Sequence, residues 1–570
     1  MLKRIPIAVE NFKEIIEENY YYIDKTKFIE EILNDGTKVK LFCRPRRFGK
    51  TLNMSMLRYF FDVKNREENR KLFNGLYIEK SPMISEQGKY PVIFLSMKGI
   101  SSSNFEDALD KIMDKIISVY EDYSYILDKL DERSRKRYDA ILDGNINRAQ
   151  LESSLLFLTK LLYKYYNQKV VVLIDEYDYP IMSSYEKGYY EEMRDFLKAF
   201  YGDVLKTNEY LQMGVLTGII RVAQAGIFSD LNNFKSFTVL EEKYSTSFGL
   251  VEEEVKAMLA YYEIGYEMPE VKKWYDGYSF GKDELYNPWS ILNYTSDKIL
   301  KPYWINTSSN FMIRELLEQT GKEGLETLEK IFNQEDIAVR ITDNVRFGNN
   351  LSASEVWELM VYSGYLTVNG RIEDGRYLVR IPNMEIMNFF KDEFLNIIFG
   401  NYDTVDRLRD ALRDKNLRQL DRVIEKIVLD VMSFHDTNKE AQDSDKNLRL
   451  CLNNHSRSEE LLDYWKYSYH MLLAGFFYAL DSYYITKSNV EAGYGRADII
   501  LFPRDKSKAG YILELKRAYT KTPEKEVEKA VQQIDDNKYY VELERYGVKE
   551  IIKLGYIFDG KKVASSNLSY

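Results

Sequence analysis

The stretch from Val39 to Leu57 reads VKLFCRPRRFGKTLNMSML and decides how the N-terminal part of the chain folds. It begins with a short, mostly apolar run, which is typical of a buried strand. A basic turn follows, and then apolar residues recur at helical spacing, which predicts a helix with one apolar side. The sequence therefore predicts strand, loop and helix in direct succession.

The loop of this stretch matches the phosphate-binding P-loop pattern G-x-x-x-x-G-K-[ST], except that Arg44 stands at its first position. Such a loop holds phosphate between a strand and a helix N-terminus, where main-chain N–H groups converge. Lys50 is expected to reach the β- and γ-phosphates of ATP, and the Thr51 hydroxyl to bind Mg²⁺. Arg44, Arg47 and Gly49 are further candidates for nucleotide contact. Because Arg44 replaces the first glycine of the pattern, the sequence leaves open a variant loop conformation and slow hydrolysis of ATP.

Three further apolar segments predict strands: YPVIFLSM at 90–97, KVVVLIDEYDYP at 169–180 and LQMGVLTGII at 211–220. Apolar strands separated by helices predict a parallel sheet that is covered on both faces. The fold class expected for the whole chain is α/β and multidomain.

The acids that end the second of these segments complete the predicted nucleotide site. Asp175 is expected to hold Mg²⁺ together with Thr51, and Glu176 to orient or deprotonate the attacking water. Thr217 is a candidate γ-phosphate sensor and Arg221 a candidate phosphate-sensing arginine, although a surface arginine that caps a loop explains Arg221 equally well. Each short motif also arises by chance at strand ends, but both in this order favour ATP binding.

The middle of the chain changes character beyond residue 250, where helices alternate with aromatic loops such as WYDGYSFG and LYNPWSILNY. This pattern predicts a helical lid. A helix, two strand-like segments and another helix between about 355 and 395 are compatible with a winged-helix unit. The predicted domains are a P-loop domain at 1–250, the lid and winged-helix region at 251–400, a helical connector at 401–455 and a C-terminal domain at 456–570.

The C-terminal segments predict the order αβββαβ, with strands in YYITKSNVEA, GRADIILFP, AGYILELK and IIKLGYIFDG and a charged helix from about 523 to 544. The strand period of two places Glu514 and Lys516 on one face. Asp498, on the preceding strand, is expected beside Glu514. Gln533 lies on the following helix, where its neighbour Gln532 is an alternative.

These residue types suit cleavage of a phosphodiester bond. Asp498 and Glu514 can hold Mg²⁺ or Mn²⁺, Lys516 can position water or stabilise charge, and Gln533 can bond water or substrate. A structural ion pair at a strand end is the alternative interpretation.

Further ligands of this metal are less clear from the sequence. Glu491 is the best extra carboxylate, because Glu459 and Glu460 lie over two turns before His470. His470 is either a site contact or a packed residue of an aromatic helix.

Composition narrows the function classes. The 570 residues include two cysteines and three histidines, which excludes a disulfide framework and a zinc–thiolate cluster and predicts a cytoplasmic protein. No apolar run is long enough to cross a membrane. The net charge of −10 means that contact with nucleic acid must be local. DNA is favoured over RNA as the partner, and the sequence leaves both open.

The motifs in this order carry a resemblance that spans nearly the whole chain. The segments are YYYIDKTKFIEEIL, RPRRFGKTLNMSML, VVVLIDEYDYPI, LTGIIRVAQAGIFSDLNN, WYDGYSFG, YNPWSILNY, SNVEAGYGRADIILFP, YILELK and QQIDDNKYY. The chain resembles bacterial and archaeal proteins that join an AAA-ATPase-like domain to a C-terminal PD-(D/E)XK nuclease-superfamily domain. The resemblance implies ATP binding, nuclease activity and a setting in mobile-element or defence biology. It also implies that an arginine at the start of the loop is a family variation.

The leading functional hypothesis is an ATP-regulated or ATP-dependent nuclease that uses Mg²⁺ or Mn²⁺. A nucleotide-switched sensor whose C-terminal domain binds without cutting is the alternative, and an ATPase motor with a C-terminal adaptor is a third. The sequence leaves a homo-oligomer open, because an arginine that one subunit contributes to the nucleotide site of another would require one.

Overall fold

A computed structural model describes residues 2–221, 233–265, 268–304, 334–342, 352–390, 403–436, 473–478, 482–518, 523–559 and 562–566, with single residues at 327, 330, 331, 470 and 480. The chain divides into two compact units. The first comprises Met1–Ile305 and Ala338–Ile386, and the second comprises Asn306–Ile337 and Met387–Tyr570.

The first unit is built on a five-stranded sheet with the order β2-β3-β4-β1-β5, in which every pairing is parallel. Its strands are β1 (Val39–Cys43), β2 (Val92–Ser96), β3 (Val170–Asp175), β4 (Leu211–Gly218) and β5 (Phe234–Phe237). Every residue of β1 and β3 is buried, as continuous apolar strands require when both faces of a sheet are covered. The predicted parallel sheet and its first four strands are confirmed, and β5 is an additional strand.

The described residues up to the start of β4 contain ten α-helices. They are α1 (Phe12–Glu17), α2 (Lys27–Leu33), α3 (Lys50–Phe61), α4 (Arg66–Lys71), α5 (Phe105–Glu121), α6 (Glu132–Leu142), α7 (Arg148–Glu152), α8 (Ser154–Tyr166), α9 (Tyr179–Lys187) and α10 (Tyr190–Leu205). The helix predicted after the basic loop is α3, and it starts at a left-handed Gly49. It buries residues on most of its circumference, including Met54, Met56 and Phe60, so it is a central helix.

The aromatic region after residue 250 contains α11 (Glu252–Tyr261), α12 (Met268–Tyr275), α13 (Pro288–Asp297) and a short hairpin of β6 (Tyr278–Phe280) and β7 (Asp283–Leu285). Then follow β8 (Ile337–Arg340), α14 (Ala353–Ser363), β9 (Thr367–Arg371), β10 (Arg376–Arg380) and a helical segment at 384–390. The helix, strand, turn, strand and helix expected for a winged-helix unit are present. β8 joins β9 and β10 in a three-stranded sheet with the order β8-β10-β9.

The second unit contains a five-stranded sheet with the order β11-β12-β13-β14-β15. The strands are β11 (Tyr484–Ala492), β12 (Gly495–Pro503), β13 (Gly510–Arg517), β14 (Ile551–Asp559) and β15 (Lys562–Ser565), and the helices are α15 (Asp403–Arg413), α16 (Leu417–Asp436), α17 (Pro523–Asp536) and α18 (Val541–Tyr546). Residues 473–478, before β11, are also helical. The predicted αβββαβ order is therefore confirmed, with two differences: α17 and α18 replace the single helix expected at about 523–544, and β15 is an addition.

Two helices from the region predicted as a connector pack on this sheet. The Tyr511 hydroxyl of β13 donates to the Leu412 carbonyl at 2.6 Å, and the Tyr556 hydroxyl of β14 donates to Asp421 Oδ1 at 2.8 Å. The remainder of that predicted connector, residues 437–455, lies outside the described residues. Across the described ranges, no helix combines the length and apolarity that crossing a bilayer requires.

Substitution of one glycine tests the contact between the aromatic region and the winged-helix-like region. Gly277 has a φ of +95°, and a Cβ there would lie 2.2 Å from the Pro382 carbonyl oxygen. We expect Gly277→Ala to destabilise the first unit by at least about 2 kcal/mol, because a left-handed backbone and a main-chain clash combine. Calorimetric unfolding of the full chain measures the effect.

The matched control is Gly188→Ala, which has a φ of +85° but nothing within 4 Å of the added Cβ. It should cost about 1 kcal/mol, because only the backbone conformation is disfavoured. Equal losses in the two variants would contradict the close approach at Pro382.

Candidate active sites

The carboxyl ends of the parallel strands meet at one edge of the first unit's sheet, where ligands bind in open α/β sheets. β1 leads into the basic loop and pairs with β4, with Cys43 opposite Gly218, while β4 pairs in turn with β3. β4 therefore lies between the loop and the strand that ends at Asp175. This order places Thr217, near the end of β4, between the two predicted halves of the nucleotide site.

Asp175 is the centre of this edge. Its side chain is fully buried, and its Oδ2 accepts a hydrogen bond from the Thr51 hydroxyl at 2.8 Å. Its Oδ1 accepts a hydrogen bond from the Thr217 hydroxyl. The two residues predicted to share Mg²⁺, Thr51 and Asp175, are thus in direct contact, and Thr217 lies within reach of the same carboxylate.

Lys50 lies in the loop with its ammonium group turned back onto the main chain. Its Nζ donates to the carbonyl oxygens of Arg44 at 2.9 Å and Pro45 at 2.7 Å. Burial lowers the pKa of Lys50, while the carboxylates of Glu176, Asp178 and Asp175 oppose that shift. The ammonium must exchange these two carbonyl bonds to reach a phosphate.

Arg44 has a structural role in addition to its place in the loop. Its side chain is fully buried, and its guanidinium donates to the carbonyl oxygens of Cys43 at 2.9 Å, Phe237 at 2.8 Å and Tyr244 at 3.2 Å. It also lies over the rings of Phe248 and Phe280. Burial lowers the pKa of Arg44 to about 10. The guanidinium therefore ties the loop to the segment after β5.

The left-handed positions of the loop are Arg47, with a φ of +66°, and Gly49, with a φ of +80°, whereas Arg44 has no positive φ. Replacing the first glycine of the pattern therefore imposes no backbone strain at that position. Gly49 begins α3 and has open space around its Cα. The Arg47 side chain is exposed, lies 4.3 Å from the Trp289 ring centroid and donates to the Tyr303 carbonyl at 3.0 Å.

Glu176 and Arg221 complete the set predicted from the sequence. Glu176 has a φ of +52°, and burial, together with the charge of Asp175, raises its pKa. Arg221 follows β4 and is partly buried, but residues 222–232 lie outside the described part of the chain. The structure therefore brings Thr51, Asp175 and Thr217 into contact and fixes less around Arg221.

Two residues at this edge were missed by the sequence analysis. Asp178 is buried, and its Oδ2 accepts from the main-chain N–H groups of Ile219 at 2.7 Å and Ile220 at 2.9 Å, so it joins the turn after β3 to the end of β4. Burial raises its pKa, against those two hydrogen bonds. Lys98 follows β2 and pairs with Glu10 at 2.9 Å. The shared edge of parallel strands was a signal that could have identified Lys98.

The aromatic region contacts the basic loop directly. The Arg46 carbonyl accepts from the Asn287 amide at 3.4 Å and the Trp304 indole at 3.3 Å. Nearby, Glu385 accepts from the main-chain N–H of Tyr303 at 2.5 Å and of Trp304 at 2.8 Å. Burial raises the pKa of Glu385. These long-range contacts had no signal in local sequence patterns.

The second unit contains a closed group of three polar side chains. Lys516 Nζ donates to Glu514 Oε1 at 3.2 Å and to Gln533 Oε1 at 2.6 Å, while Gln533 Nε2 donates to Glu514 Oε1 at 2.6 Å. Glu514 is 2% exposed, and Gln533 comes from α17. The exposed Gln532 instead donates to Asp536 at 2.9 Å. The arrangement selects Gln533 over Gln532 as the partner of Glu514 and Lys516.

Asp498 lies on the neighbouring strand. β12 and β13 are antiparallel with Ile499 opposite Leu513, so the same register places Asp498 opposite Glu514. Asp498 is buried, and its Oδ2 accepts from the Leu515 N–H at 2.8 Å. The structure therefore groups all four residues that the sequence analysis selected for this unit.

His470 is buried beside this group. Its Nδ1 lies 3.8 Å from Asp498 Oδ1, and its Nε2 lies 2.5 Å from the Ser488 hydroxyl. Glu491 is exposed and lies opposite Arg496 in the β11–β12 ladder. Glu459 and Glu460 lie outside the described residues. Ser488 was not selected from the sequence, because nothing in the local pattern links it to His470.

Comparison with known proteins assigns a family to each of the two domains. Residues 6–228 match the family model described as "Predicted AAA-ATPase", and residues 467–567 match the model of the PD-(D/E)XK nuclease superfamily. The chain joins an AAA-ATPase-like domain to a PD-(D/E)XK nuclease-superfamily domain. A similar protein is the "Uncharacterized protein in vnfD 5'region" of Azotobacter chroococcum mcd 1, which is 29% identical over 395 residues that cover 67% of this chain and 68% of that protein.

The nuclease-superfamily domain implies a divalent metal, and its donors fit one. Asp498 and Glu514 are buried carboxylates at opposite positions of neighbouring strands, and carboxylate oxygens are the ligands that Mg²⁺ and Mn²⁺ prefer. Over the described ranges, no group of three or more histidine, cysteine, aspartate or glutamate side chains is arranged to hold a metal. The two carboxylates are the candidate ligands for this metal.

The buried guanidinium of the AAA-ATPase-like domain yields a prediction. Arg44→Gly restores the P-loop pattern but removes three hydrogen bonds to buried carbonyl groups. We expect it to destabilise the domain by roughly 3 kcal/mol, because carbonyls left without donors are costly. Thermal unfolding measures the loss, and we expect ATP binding to weaken with it.

The same substitution at the exposed neighbour is the control. Arg47 has a φ of +66°, which glycine tolerates better than arginine, so Arg47→Gly should change stability by less than about 1 kcal/mol. A stable Arg44→Gly protein that binds ATP more tightly would overturn the structural role of Arg44.

Proposed function

We propose that this chain is an ATP-regulated, metal-dependent nuclease that cleaves phosphodiester bonds, with DNA favoured over RNA as the substrate. The observation that carries the proposal is the group of Glu514, Lys516 and Gln533, joined by hydrogen bonds at 2.6 to 3.2 Å, beside the buried Asp498. A carboxylate pair with an adjacent cation is the minimal set for hydrolysis of a phosphodiester. A structural ion pair alone would not require the second buried carboxylate.

In this proposal each residue has a separate task. Asp498 and Glu514 would hold Mg²⁺ or Mn²⁺, which would act there as a Lewis acid and lower the pKa of a bound water. Lys516 stabilises negative charge that develops on the phosphate oxygens. Gln533, on α17, positions Lys516 and Glu514 through its hydrogen bonds to both. Its amide can also bond the attacking water.

The ATP part of the proposal rests on the contacts at the sheet edge. Lys50 exchanges its carbonyl partners for the β- and γ-phosphates, and Thr51 with Asp175 holds Mg²⁺. Glu176 orients or deprotonates water, and its raised pKa brings it closer to the working range of a general base. Thr217 senses the γ-phosphate through its bond to Asp175, and Arg221 responds to phosphate charge.

We further propose that nucleotide binding regulates cleavage through the residues that lie between the two sites in the sequence. In the sequence, a P-loop domain at 1–250 is followed by a lid and winged-helix region at 251–400, a connector at 401–455 and a nuclease-like domain at 456–570. The hydrogen bonds from Asn287 and Trp304 to the Arg46 carbonyl support it, because a change in the loop must disturb them. A cytoplasmic location, a homo-oligomer and a role in mobile-element or defence biology belong to the same proposal.

A second candidate is a nucleotide-switched sensor whose nuclease-like domain binds nucleic acid without cutting it. It is favoured by the bonds that Glu514 Oε1 accepts from Lys516 and Gln533, because these bonds satisfy the buried carboxylate without a metal ion. If the protein's biological function is retained in Lys516→Ala but lost in Lys50→Ala, the sensor is favoured over the nuclease.

The nuclease assignment predicts the effect of four substitutions. Asp498→Asn, Glu514→Ala and Lys516→Ala should each reduce cleavage of labelled DNA and RNA in Mn²⁺ by at least about 100-fold, because each removes a metal ligand or a charge from the transition state. Gln533→Ala should have a smaller but clear effect.

The control is Gln532→Ala, one residue away on α17 and exposed. Its cleavage rate should match that of the unaltered protein. Cleavage that persists in Glu514→Ala, or is lost equally in Gln532→Ala, would sink the assignment.

The regulatory part predicts a separate pattern. Lys50→Ala and Asp175→Ala should abolish ATP binding, measured by calorimetric titration, and remove any effect of ATP on cleavage. Glu514→Ala should bind ATP with unchanged affinity, because it lies in the other domain. Cleavage by the unaltered protein that ignores ATP would contradict regulation while leaving the nuclease assignment intact.

A further inference from the structure

The turn between β11 and β12 presents the most exposed large aromatic side chain in the described residues. Tyr494 is 75% exposed. Its ring has little apolar contact with the rest of the unit, so folding gains little by placing an aromatic residue there. Binding is therefore a better explanation of this position than packing.

The turn is held firmly although its ring is exposed. The Tyr494 N–H donates to the Asn537 carbonyl at 2.8 Å. Gly493 has a φ of +54°, and a Cβ there would lie 2.0 Å from that same carbonyl oxygen. At Gly495 a Cβ would meet the Tyr539 hydroxyl at 3.1 Å and the Asn537 side chain at 3.2 Å. The two glycines let the turn dock closely, and the docking fixes the position of Tyr494.

The turn docks on the element that carries the candidate catalytic glutamine. The Asn537 N–H donates to the Gln533 carbonyl, and the Gln533 amide donates to the Tyr539 hydroxyl at 3.3 Å. On the other side, Tyr494 lies four residues before Asp498 along β12, which is about 13 Å at the rise of a strand. The exposed ring therefore has a fixed position close to the candidate catalytic group.

Positive charge accompanies the ring. Lys538 Nζ lies 5.0 Å from the Tyr494 ring centroid. Arg496 is exposed two residues further along β12, where its Nε donates to the Asn489 carbonyl at 2.6 Å. Glu491, opposite Arg496, is the opposing charge on this hairpin. In a chain with a net charge of −10, such a pair of cations is the kind of local site that a phosphate backbone needs.

We propose that Tyr494 is a stacking platform for an unpaired base, so that the nuclease-like domain takes single-stranded nucleic acid. The assignment rests on the proposed nuclease function and names its substrate class. An aromatic face stacks on any base, and the adjacent ammonium of Lys538 serves the neighbouring phosphate. Bases within a duplex already stack on both faces, so a ring at this position favours a single strand or an unpaired end. One ring is too small for the core of a protein interface.

The test measures binding apart from cutting. Fluorescence anisotropy of labelled oligothymidylate is followed with the full chain in EDTA, alongside oligouridylate and a DNA duplex. Tyr494→Ala should weaken single-strand binding about 5- to 100-fold, the range expected for loss of one stacked base, and should leave duplex binding unchanged. Tyr494→Phe keeps the ring and should bind like the unaltered protein. Comparison of the two single strands separates DNA from RNA.

Tyr483→Ala is the matched control, because Tyr483 is also exposed, at 49%, and Arg409 lies 5.7 Å from its ring centroid at the other end of β11. It should bind like the unaltered protein. Unchanged single-strand binding by Tyr494→Ala would overturn the proposal and assign the ring to another partner, as would an unaltered protein that binds only duplex. If Tyr494-dependent binding is found but no cleavage occurs in Mn²⁺, the nuclease function fails and the stacking role stands.

Discussion

A buried carboxylate must be paired or hydrogen-bonded, and this requirement organises both candidate sites. Asp175 is fully buried and accepts hydrogen bonds from Thr51 and Thr217. Those two hydroxyls come from the helix after the basic loop and from the strand between the loop and Asp175. The position of β4 between β1 and β3 is therefore what satisfies the charge, and the same position assembles the candidate nucleotide site.

The second unit meets the requirement with different groups. Glu514 is 2% exposed and accepts hydrogen bonds from the Lys516 ammonium and the Gln533 amide, and Asp498 accepts from a main-chain N–H group. An ammonium compensates charge, whereas hydroxyls only solvate it. Lys516 therefore compensates the charge of one of the two carboxylates, and a divalent cation would compete with Lys516 for Glu514. That competition favours a role for Lys516 beside the metal, since the ammonium can turn to a phosphate as the cation takes its place.

The sequence was sufficient wherever local pattern and site coincide. Apolar strands with acids at their ends predicted β3 and Asp175, and the period of two predicted that Glu514 and Lys516 share a face. The short β5 was missed because its four residues, Phe234–Phe237, place two polar side chains between two aromatic ones and contain no apolar run. The contacts of the Arg46 carbonyl with the aromatic region join residues more than 240 positions apart. No local periodicity reports such a contact, so tertiary structure was needed to find it.

Arg44 illustrates a third reason why sequence patterns are incomplete. The pattern has glycine at this position, so the sequence left a variant loop conformation open. The backbone at Arg44 has no positive φ, however, and the left-handed positions fall on Arg47 and Gly49. Without a steric need for glycine, the position is free to carry a side chain that donates to the carbonyls of Cys43, Phe237 and Tyr244. Those bonds anchor the start of the loop, while Arg47, which contacts Tyr303 and Trp289, is exposed beside it. The loop therefore begins at an arginine anchored to buried carbonyl groups and continues to an exposed one, an arrangement that glycine at the first position could not provide.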